Sequence, residues 1–363
     1  MSEDFYYLGF SVFPGIGPAN FNKLLEYFGT AQKAWKAEHS DLTQVLGEVL
    51  GQKFIDFRKN FSLEKYAEDL AKKDIHYVCF FNKNYPKLLS IIPKAPFILY
   101  YKGNDSLLQK DKTIGIVGTR KVTDYGRQVT EMLTSNLVMN DFVIISGLAL
   151  GVDGIAHKEA LKNKGNTIAV LGSGVDRPTP REHINLYNEI LEGGGLIVST
   201  FVPGEDASKG SFPARNGTIA GLSQGILVTE GASDSGSLIT AEYARKFNRP
   251  LFAVPGPITS DVSKGTNNLI KNGAIPVSDS GEILDRLGIM GTQVKIQNAK
   301  VKNLKGDTVE EKEVLDMLQN GALHFDDIVR KMEKDSKTVG SILSLMELKG
   351  FVRILSDGKY EIS

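Results

Sequence analysis

Short runs of apolar residues alternate with segments of helical apolar spacing through the middle of the chain. The apolar runs are Ile114–Val117, Phe142–Ile145, Ile168–Leu171, Leu196–Val198, Ile226–Val228, Leu251–Val254 and Ile275–Val277. The helix-like segments between and after them span residues 153–163, 182–191, 214–222, 237–247, 265–272 and 280–287. Strands that are apolar throughout and are separated by helices predict a doubly wound, mostly parallel α/β sheet covered on both faces.

The region that precedes this alternation, residues 1–66, is predicted to be a helical domain. A tight turn at Pro14 to Gly17 leads into a helix that starts at Pro18 and ends at Gly29. The apolar face of this helix consists of Phe21, Leu24, Leu25 and Phe28. The pattern resembles a helix-hairpin-helix element, whose glycine turn offers backbone N–H groups to a DNA phosphate. An ordinary helical hairpin used for packing is the alternative, and the sequence leaves both open.

The C-terminal region has a different pattern. Residues 291–308 are polar and lysine-containing and are predicted to be a linker that follows the sheet domain of residues 67–290. Residues 309–363 predict three helices, near 309–319, 325–332 and 336–349, and then two strands around the turn Ser356-Asp357-Gly358. This order is the pattern of a winged helix. Because the third helix is mostly apolar, packing or protein contact is at least as well supported there as DNA reading.

Composition sets the broad class. A length of 363 residues predicts two or three domains, and 43 basic residues balance 43 acidic ones, so net charge does not decide for or against nucleic acid. The single cysteine, Cys79, excludes an internal disulfide framework and lies in an apolar run typical of a core. An acidic start and the lack of a long apolar run predict neither a signal peptide nor a membrane span, hence a cytoplasmic protein.

Polar and glycine-rich turns follow the predicted strands, where free N–H groups at helix N-termini bind anions. The clearest turn is Gly118-Thr119-Arg120, with Lys121 next, where dinucleotide enzymes place further glycines. The candidate binding residues in these turns are Gly118, Thr119, Arg120, Lys121, Gly147, Gly172, Phe212, Arg215, Asn216, Ser235, Gly236, Ser237, Lys264, Thr266 and Asn267. Hydroxyls, helix N-termini and two arginines at one sheet edge predict a site for several phosphates.

Cofactor motifs are missing from these turns. The first turn lacks GxGxxG, and GxxxxGK[ST] occurs nowhere, so we predict neither NAD nor ATP and no other cofactor. The histidines lack metal-ligand spacing, which predicts no metal site.

Two sets of residues raise the question of catalysis. A hydrolytic trio of Ser146, Asp153 and His157 is conceivable, but a helix N-cap aspartate followed by a packed histidine is the simpler interpretation. A pocket carboxylate at Glu230 or Glu242 is also conceivable, although glutamates on a helix face are commoner. The residues therefore favour structural roles for both sets, and an enzyme remains the alternative at this point.

Six motifs taken in order give the strongest functional signal. They are IVGTR with TDYG, SGLALGVDGIAHKEAL, TIAVLGSGVD, FPARN with IAGLS, VTEGASDSGSLITAEYA, and VPGPI with KGTNNLI, over residues 113–277. This set resembles the DprA/Smf family of DNA-processing proteins. The resemblance implies an extended Rossmann-like domain, flanked by a helical domain and a winged-helix domain. It also implies that the protein binds single-stranded DNA, forms a homodimer and loads the RecA recombinase during natural transformation, with no enzymatic activity.

The resemblance also assigns roles to residues. The phosphate-binding arginine of the family's G-S-R turn corresponds to Arg120, where Thr119 keeps the neighbouring hydroxyl. The family pattern F-P-basic-R-N-R corresponds to residues 212–217, with Ala214 and Gly217 at two usually basic positions, which lowers the expected DNA affinity. Arg215 is expected to be the second phosphate-binding charge. Residues expected at the rim or as stacking platforms are Lys121, Lys209, Lys264, Phe212 and Tyr125.

The geometry expected at Arg120 is specific. A helix that begins near Lys121 would let its N–H groups and the Arg120 guanidinium bind one phosphate together. The competing interpretation pairs Arg120 with a carboxylate such as Asp124 or Asp153. Two other functions remain open for the whole chain, a nucleotide-binding or nucleotide-hydrolysing Rossmann-like enzyme, and a scaffold that recruits a recombinase without strong DNA binding.

Overall fold

The computed structural model describes residues 2–289, 308–318, 322–354 and 358–362. The chain divides into two compact units, Met1–Gly291 and Thr292–Ser363. In the described part of the chain, no helix combines the length and the apolar character needed to cross a bilayer.

Six helices precede the sheet in the first unit. They are α1 (Glu3–Val12), α2 (Pro18–Phe28), α3 (Ala31–Lys36), α4 (His39–Leu46), α5 (Glu48–Asn60) and α6 (Leu63–Lys72). As predicted, α2 begins at Pro18 and ends before Gly29, whose φ of 80° suits glycine. Aromatic side chains fill the core of these helices, and Phe21 stacks at 4.1 Å on Phe97, outside the helical segment. The helices therefore pack with the sheet region in one unit, and α6 runs across the expected boundary at residue 66.

A sheet of nine strands forms the centre of this unit. The strands are β1 (His76–Cys79), β2 (Ile98–Gly103), β3 (Thr113–Val117), β4 (Val143–Ser146), β5 (Thr167–Val170), β6 (Leu196–Ser199), β7 (Gly225–Val228), β8 (Leu251–Ala253) and β9 (Ile275–Pro276). Their order is β1-β2-β6-β5-β4-β3-β7-β8-β9. Strands β3 to β9 run parallel, as the apolar runs predicted. Strands β1 and β2, which were not predicted, pair antiparallel at one edge of the sheet.

Helices cover both faces of the parallel part. They are α7 (Lys87–Ser90), α8 (Asp124–Met139), α9 (Val152–Lys162), α10 (Ile184–Glu192), α11 (Ser211–Leu222), α12 (Ser237–Lys246), α13 (Lys264–Lys271) and α14 (Ser280–Arg286). Alternate residues of a strand face the helix layers on opposite sides of the sheet. Ile114 and Ile116 pack with α8, α9 and α14, whereas Val117 packs with α11 and α12. The doubly wound mostly parallel fold is confirmed.

The direction of winding reverses once. From β3 the chain builds β4, β5 and β6 on one side, and it then returns to place β7, β8 and β9 on the other side. The reversal lies between β3 and β7. In open α/β sheets this is the point where the loops diverge and leave a crevice for a ligand.

The second unit has the three predicted helices and the two predicted strands after them, with an additional short strand, Leu323–His324, that was not predicted. It contains α15 (Val309–Leu318), β10 (Leu323–His324), α16 (Phe325–Met332), α17 (Ser336–Leu348), β11 (Val352–Ile354) and β12 (Lys359–Ile362), with strand order β10-β12-β11. Val339, Leu343 and Met346 of α17 are buried in its core, so the apolar character of this helix serves packing. The predicted linker and the turn residues Ser356 and Asp357 lie outside the described residues, apart from Thr308 at the end of the linker.

Candidate nucleic-acid interface

The predicted turns meet at one edge of the sheet. Because β3 to β8 are parallel, the loops that follow them all leave from the carboxyl ends of the strands. These loops carry the candidate residues from Gly118 to Ser237. The tertiary structure therefore gathers into one region turns that are spread over more than a hundred residues of sequence.

The turn after β3 lies at the point where the winding reverses. The Thr119 N–H donates to the Glu230 carbonyl at 2.7 Å, which joins this turn to the loop after β7. A Cβ atom at Gly118 would lie 2.5 Å from Val152 and 2.7 Å from the Glu230 carbonyl oxygen, so a side chain at this position would clash. Gly118 is thus required for the close approach of the two loops across the crevice.

Arg120 extends from this turn into solvent. Its guanidinium carbon lies 5.8 Å from the centre of the Phe212 ring, within the range of a cation–π contact. Among the described residues Arg120 has no ion-pair partner, so the expected alternative of a pair with Asp124 or Asp153 is wrong for this conformation. Lys121 is also exposed. The turn therefore presents two positive side chains to solvent.

The helix that was expected to begin near Lys121 begins three residues later. Helix α8 begins at Asp124, and the hydroxyl of its N-cap residue Thr123 accepts a hydrogen bond from the Gly126 N–H at 3.1 Å. The Glu230 carboxylate accepts hydrogen bonds from the Thr123 N–H at 2.9 Å and from its hydroxyl at 2.6 Å. A carboxylate of the chain itself therefore occupies this helix N-terminus, where a negative charge is favoured, which argues against a phosphate shared between the helix and Arg120.

Arg215 also differs from the expectation. Its side chain is only 6% exposed, and its guanidinium donates to the carbonyls of Gly147 and Val170, the latter at 3.1 Å. Burial lowers the pKa of Arg215 and the nearby Arg120 lowers it further, while Asp153 opposes the shift. The guanidinium lies 5.9 Å from the centre of the Phe212 ring. Arg215 thus supports the site from below and does not present a charge to a phosphate.

Asp153 is the carboxylate that balances this buried arginine. It accepts hydrogen bonds from the backbone N–H groups of Gly147 at 3.1 Å and Ala149 at 3.4 Å. Burial raises the pKa of Asp153, whereas Arg215 and the backbone donors lower it. A Cβ atom at Gly147 would overlap the Arg215 guanidinium, so glycine is needed where the two charges approach the loop.

The conceivable hydrolytic trio is buried. The Ser146 hydroxyl donates to the Ile116 carbonyl at 2.6 Å, and His157 is fully buried with its Nδ1 atom 2.7 Å from the Thr167 hydroxyl. Glu230 lies in a loop rather than on a helix face, whereas Glu242 lies on the exposed side of α12. In this conformation the serine hydroxyl and the histidine Nδ1 atom bind protein groups.

Several other candidates support loops. The Asn216 side chain donates to the Gly236 carbonyl at 3.2 Å, and the Ser235 and Ser237 hydroxyls are 2.8 Å apart. Gly172 lies under Phe212, because a Cβ atom there would be 3.3 Å from that ring. These residues hold the first turns of α11 and α12 in place at the carboxyl edge.

The last three candidates act locally. Thr266 is buried and its hydroxyl donates to Ser263, while the Asn267 amide both accepts from and donates to the Gly256 backbone. Lys264 is exposed but pairs with Asp261 at 2.6 Å. The expectation that Thr266 faces a ligand is wrong, because this side chain is buried, whereas Asn267 is half-buried and its amide is hydrogen-bonded to Gly256.

Thr123 and Glu230 are two site residues whose roles were not predicted from the sequence. A threonine directly before a helical pattern is a usual N-cap signal, so Thr123 was recognisable in the motif TDYG. Its partner was not, because Glu230 is 107 residues away in sequence.

Two family models match this chain. The family model described as DNA recombination-mediator protein A matches residues 76–288, and that of the DprA winged helix domain matches residues 299–358. Protein Smf of Synechocystis sp. is 38% identical over 311 residues, which cover 84% of this chain and 77% of that protein. DNA processing protein DprA of Bacillus subtilis is 40% identical over 206 residues, 57% of this chain and 69% of that protein.

Two solved structures are also similar. DNA processing protein A of Streptococcus pneumoniae has a TM-score of 0.69 and 34% identity, over 78% of this chain and 98% of that chain. DNA processing protein A of Helicobacter pylori, whose structure was described for its single-stranded DNA binding mode, has a TM-score of 0.52 and 33% identity, over 58% of this chain and 95% of that chain. The doubly wound sheet, the order of its glycine turns and the winged helix agree with these matches, and the chain belongs to the DNA recombination-mediator protein A family, the DprA/Smf proteins.

Proposed function

We propose that this protein binds single-stranded DNA along the carboxyl edge of its sheet. The observation that carries the proposal is the placement of Arg120, an exposed arginine without a carboxylate partner among the described residues, beside the half-buried ring of Phe212. The single-stranded DNA binding described for the Helicobacter pylori relative supports it. Arg120 contacts the phosphate backbone, and Phe212 offers a face on which a base stacks.

Single strands suit this geometry better than duplex. Stacking on Phe212 needs an unpaired base, and contacts to phosphate alone carry no sequence preference. Lys121 and Lys209 are exposed and supply further positive charge at the rim. Lys264 contributes only after it leaves Asp261. While the two are paired, the hydrogen bond and the charge of Lys264 lower the pKa of the Asp261 carboxyl.

Fluorescence anisotropy with labelled oligonucleotides tests this proposal. We expect the single strand to bind more tightly than the duplex of the same length, and the affinity to fall as salt rises, because phosphate neutralisation releases counterions. Binding of the duplex with equal or higher affinity would contradict the proposal. Lys158→Ala, on exposed α9 surface, is a control for the loss of one unrelated charge.

We also propose the cellular role implied by the family resemblance. The protein acts in the cytoplasm as a homodimer, protects incoming DNA and loads RecA on it during natural transformation and recombination. Light scattering on residues 1–289 tests the dimer, and a purely monomeric state at micromolar concentration would contradict it. Formation of RecA filaments on single strands coated with a single-strand-binding protein tests loading, which should be faster when this protein is present.

A further inference from the structure

A second concave surface lies next to the proposed DNA interface. It is a cleft of about 480 Å³ between the turn before α2, the segment 92–98 and the helices α11 and α12. Its walls are mostly apolar, and Lys94 and Lys246 are the charged residues that line it. Among the described residues no aspartate or glutamate lines the cleft. Its electrostatic character is therefore positive, although the whole chain has no net charge.

Helix α11 contributes small residues to one wall of this cleft. Ala214 and Gly217 line it, and a Cβ atom at Gly217 would lie 3.3 Å from the ring of Tyr243. The Tyr243 ring therefore lies over the glycine, and with Phe247, whose ring centre is 5.5 Å away, it forms an aromatic wall. A large side chain at position 217 would displace this ring. The small residues thus make room for both the ring and an occupant.

The cleft adjoins the carboxyl edge of the sheet. Thr200, the first residue after β6, lines it, and Ala214 belongs to the first turn of α11 together with Phe212. At about 100° per residue, Phe212 and Ala214 point to opposite sides of this helix. A chain that crosses the first turn of α11 consequently passes from the Arg120 and Phe212 surface into the cleft.

We propose that the cleft receives a neighbouring nucleotide of the same single strand. The base lies against Tyr243, and the flanking phosphates contact Lys94 and Lys246. This inference rests on the proposed function and extends the DNA path beyond Arg120. The two lysines supply positive charge on a flank where α11 itself carries only Ala214 and Gly217.

The flexible anionic backbone of DNA is favoured as the occupant for two reasons. The positive cleft has no lining carboxylate that would repel phosphate, and its lining includes Ala214, from the same first turn of α11 that carries Phe212. A planar base also matches an aromatic wall, because every base has a face that stacks. An acidic peptide is the other chemistry that such a cleft attracts, and the experiment separates the two.

The charge test compares Lys94→Gln/Lys246→Gln with the matched control Lys65→Gln/Lys158→Gln, whose lysines are exposed on α6 and α9. Glutamine keeps the length of the side chain but removes its charge. The affinity for oligothymidylates is measured at several salt concentrations. Their lengths run from about 4 to about 16 nucleotides, the usual range of site sizes for single-strand binding domains. We expect the wild-type chain to bind long strands more tightly than short ones, and the Lys94→Gln/Lys246→Gln variant to lose this difference. For the variant, the slope of log K against log salt should become less steep by about 1.4, because two phosphate contacts are lost.

The stacking test uses Tyr243→Leu with Tyr243→Phe as its matched control. Leucine keeps an apolar contact with Gly217 but has no aromatic face, whereas phenylalanine keeps the face. Stacking on one base predicts at least about fivefold weaker binding of long strands by Tyr243→Leu and little change for Tyr243→Phe. Equal loss in both variants would assign the effect to the hydroxyl and overturn the stacking role.

Failure of this inference differs from failure of the proposed function. If the wild-type chain does not bind single strands, the proposed function itself is wrong. If the wild-type chain binds and Arg120→Ala weakens it, but the lysine variant keeps the wild-type affinity and salt slope at every length, the cleft is not on the DNA path. Tight binding of an acidic peptide that is lost in the lysine variant, with DNA binding unchanged, would also overturn the assignment.

Discussion

The Glu230 carboxylate accepts two hydrogen bonds from Thr123, one from its backbone N–H at 2.9 Å and one from its hydroxyl at 2.6 Å. Glu230 follows β7, and Thr123 caps α8, which follows β3. The pair therefore joins the two loops on either side of the point where the sheet reverses its winding. Gly126 permits this approach, because a Cβ atom there would lie 2.3 Å from a Glu230 carboxylate oxygen.

We expect Glu230→Ala to lower the free energy of unfolding by about 2–3 kcal/mol. Glu230 is 2% exposed, and its loss leaves the Thr123 donors without their acceptor. Urea denaturation of Glu230→Ala, Thr123→Ala and the double variant measures the effect. The double variant should be less destabilised than the sum of the two single variants, whereas strict additivity would show that the two residues do not act together.

Arg120→Ala should weaken binding of single strands of every sequence and reduce the steepness of the salt dependence by about 0.7. The reason is that one phosphate contact is lost and no base is read by the arginine. The melting temperature should stay close to that of the wild-type chain, since Arg120 is exposed and lacks an ion-pair partner among the described residues. Anisotropy titrations over a range of salt, with a parallel thermal melt, check both. Early melting with unchanged affinity and salt slope would contradict the assignment.

Arg215→Met should act mainly on stability. Its removal leaves Asp153 buried without compensation and leaves the carbonyls of Gly147 and Val170 without their donor. We expect the free energy of unfolding to fall by about 3–5 kcal/mol, measured by chemical denaturation.

Arg120→Met is the matched control, because it removes a guanidinium at the same edge without exposing a buried charge. The combined Arg215→Met/Asp153→Asn variant should recover part of the loss. A stable Arg215→Met protein that binds DNA weakly would instead restore Arg215 as a phosphate contact.

His157 makes the fold sensitive to acid. The Thr167 hydroxyl donates to the Ile144 carbonyl at 2.8 Å, so the His157 Nδ1–H donates to Thr167, and protonation would add an Nε2–H. No hydrogen-bond acceptor for that proton lies among the described residues. Burial, with His183 and Arg215 nearby, lowers the pKa of His157 to about 3.

A lowered histidine pKa means that the unfolded chain takes up a proton at higher pH than the folded one. The contribution of His157 to stability is therefore complete above about pH 6.5, the usual histidine value. It falls by up to about 1.4 kcal/mol per pH unit as the pH drops toward 3. Urea denaturation at several pH values should show a shallower decline below pH 6.5 for His157→Gln than for the wild-type chain. Parallel curves for the two proteins would contradict this assignment.

Deletion of residues 290–363 should leave the affinity for single strands within tenfold of that of the full chain. Residues up to Gly291 form a compact unit that contains Arg120 and Phe212, and α17 of the second unit uses Val339, Leu343 and Met346 for its own core. Anisotropy with the same oligonucleotide measures both chains. A loss of more than tenfold, about 1.4 kcal/mol, would show that the winged helix binds DNA.

The sequence by itself determined the parallel sheet and the position of its turns. Strands buried on both faces must be apolar throughout, and a short stretch of sequence is enough to reveal such a strand. Strand β2, which lies between β1 and β6, was not predicted because its sequence ILYYKG does not stand between helix-like segments. The boundary of α8 was misplaced by three residues because the cap at Thr123 was overlooked.

Only the tertiary structure decided what each polar residue of the turns does. The sequence pattern predicts the same phosphate-binding role for Arg120 and Arg215. In the structure Arg120 is exposed, whereas Arg215 is buried beneath the ends of β4 and β5. The difference arises because Arg215 lies on the face of α11 that packs on the sheet, where Gly147 and Asp153 accommodate it. The link between Glu230 and Thr123 spans 107 residues. Local patterns report burial, whereas hydrogen-bond partners so far apart depend on which strands become neighbours in the folded sheet.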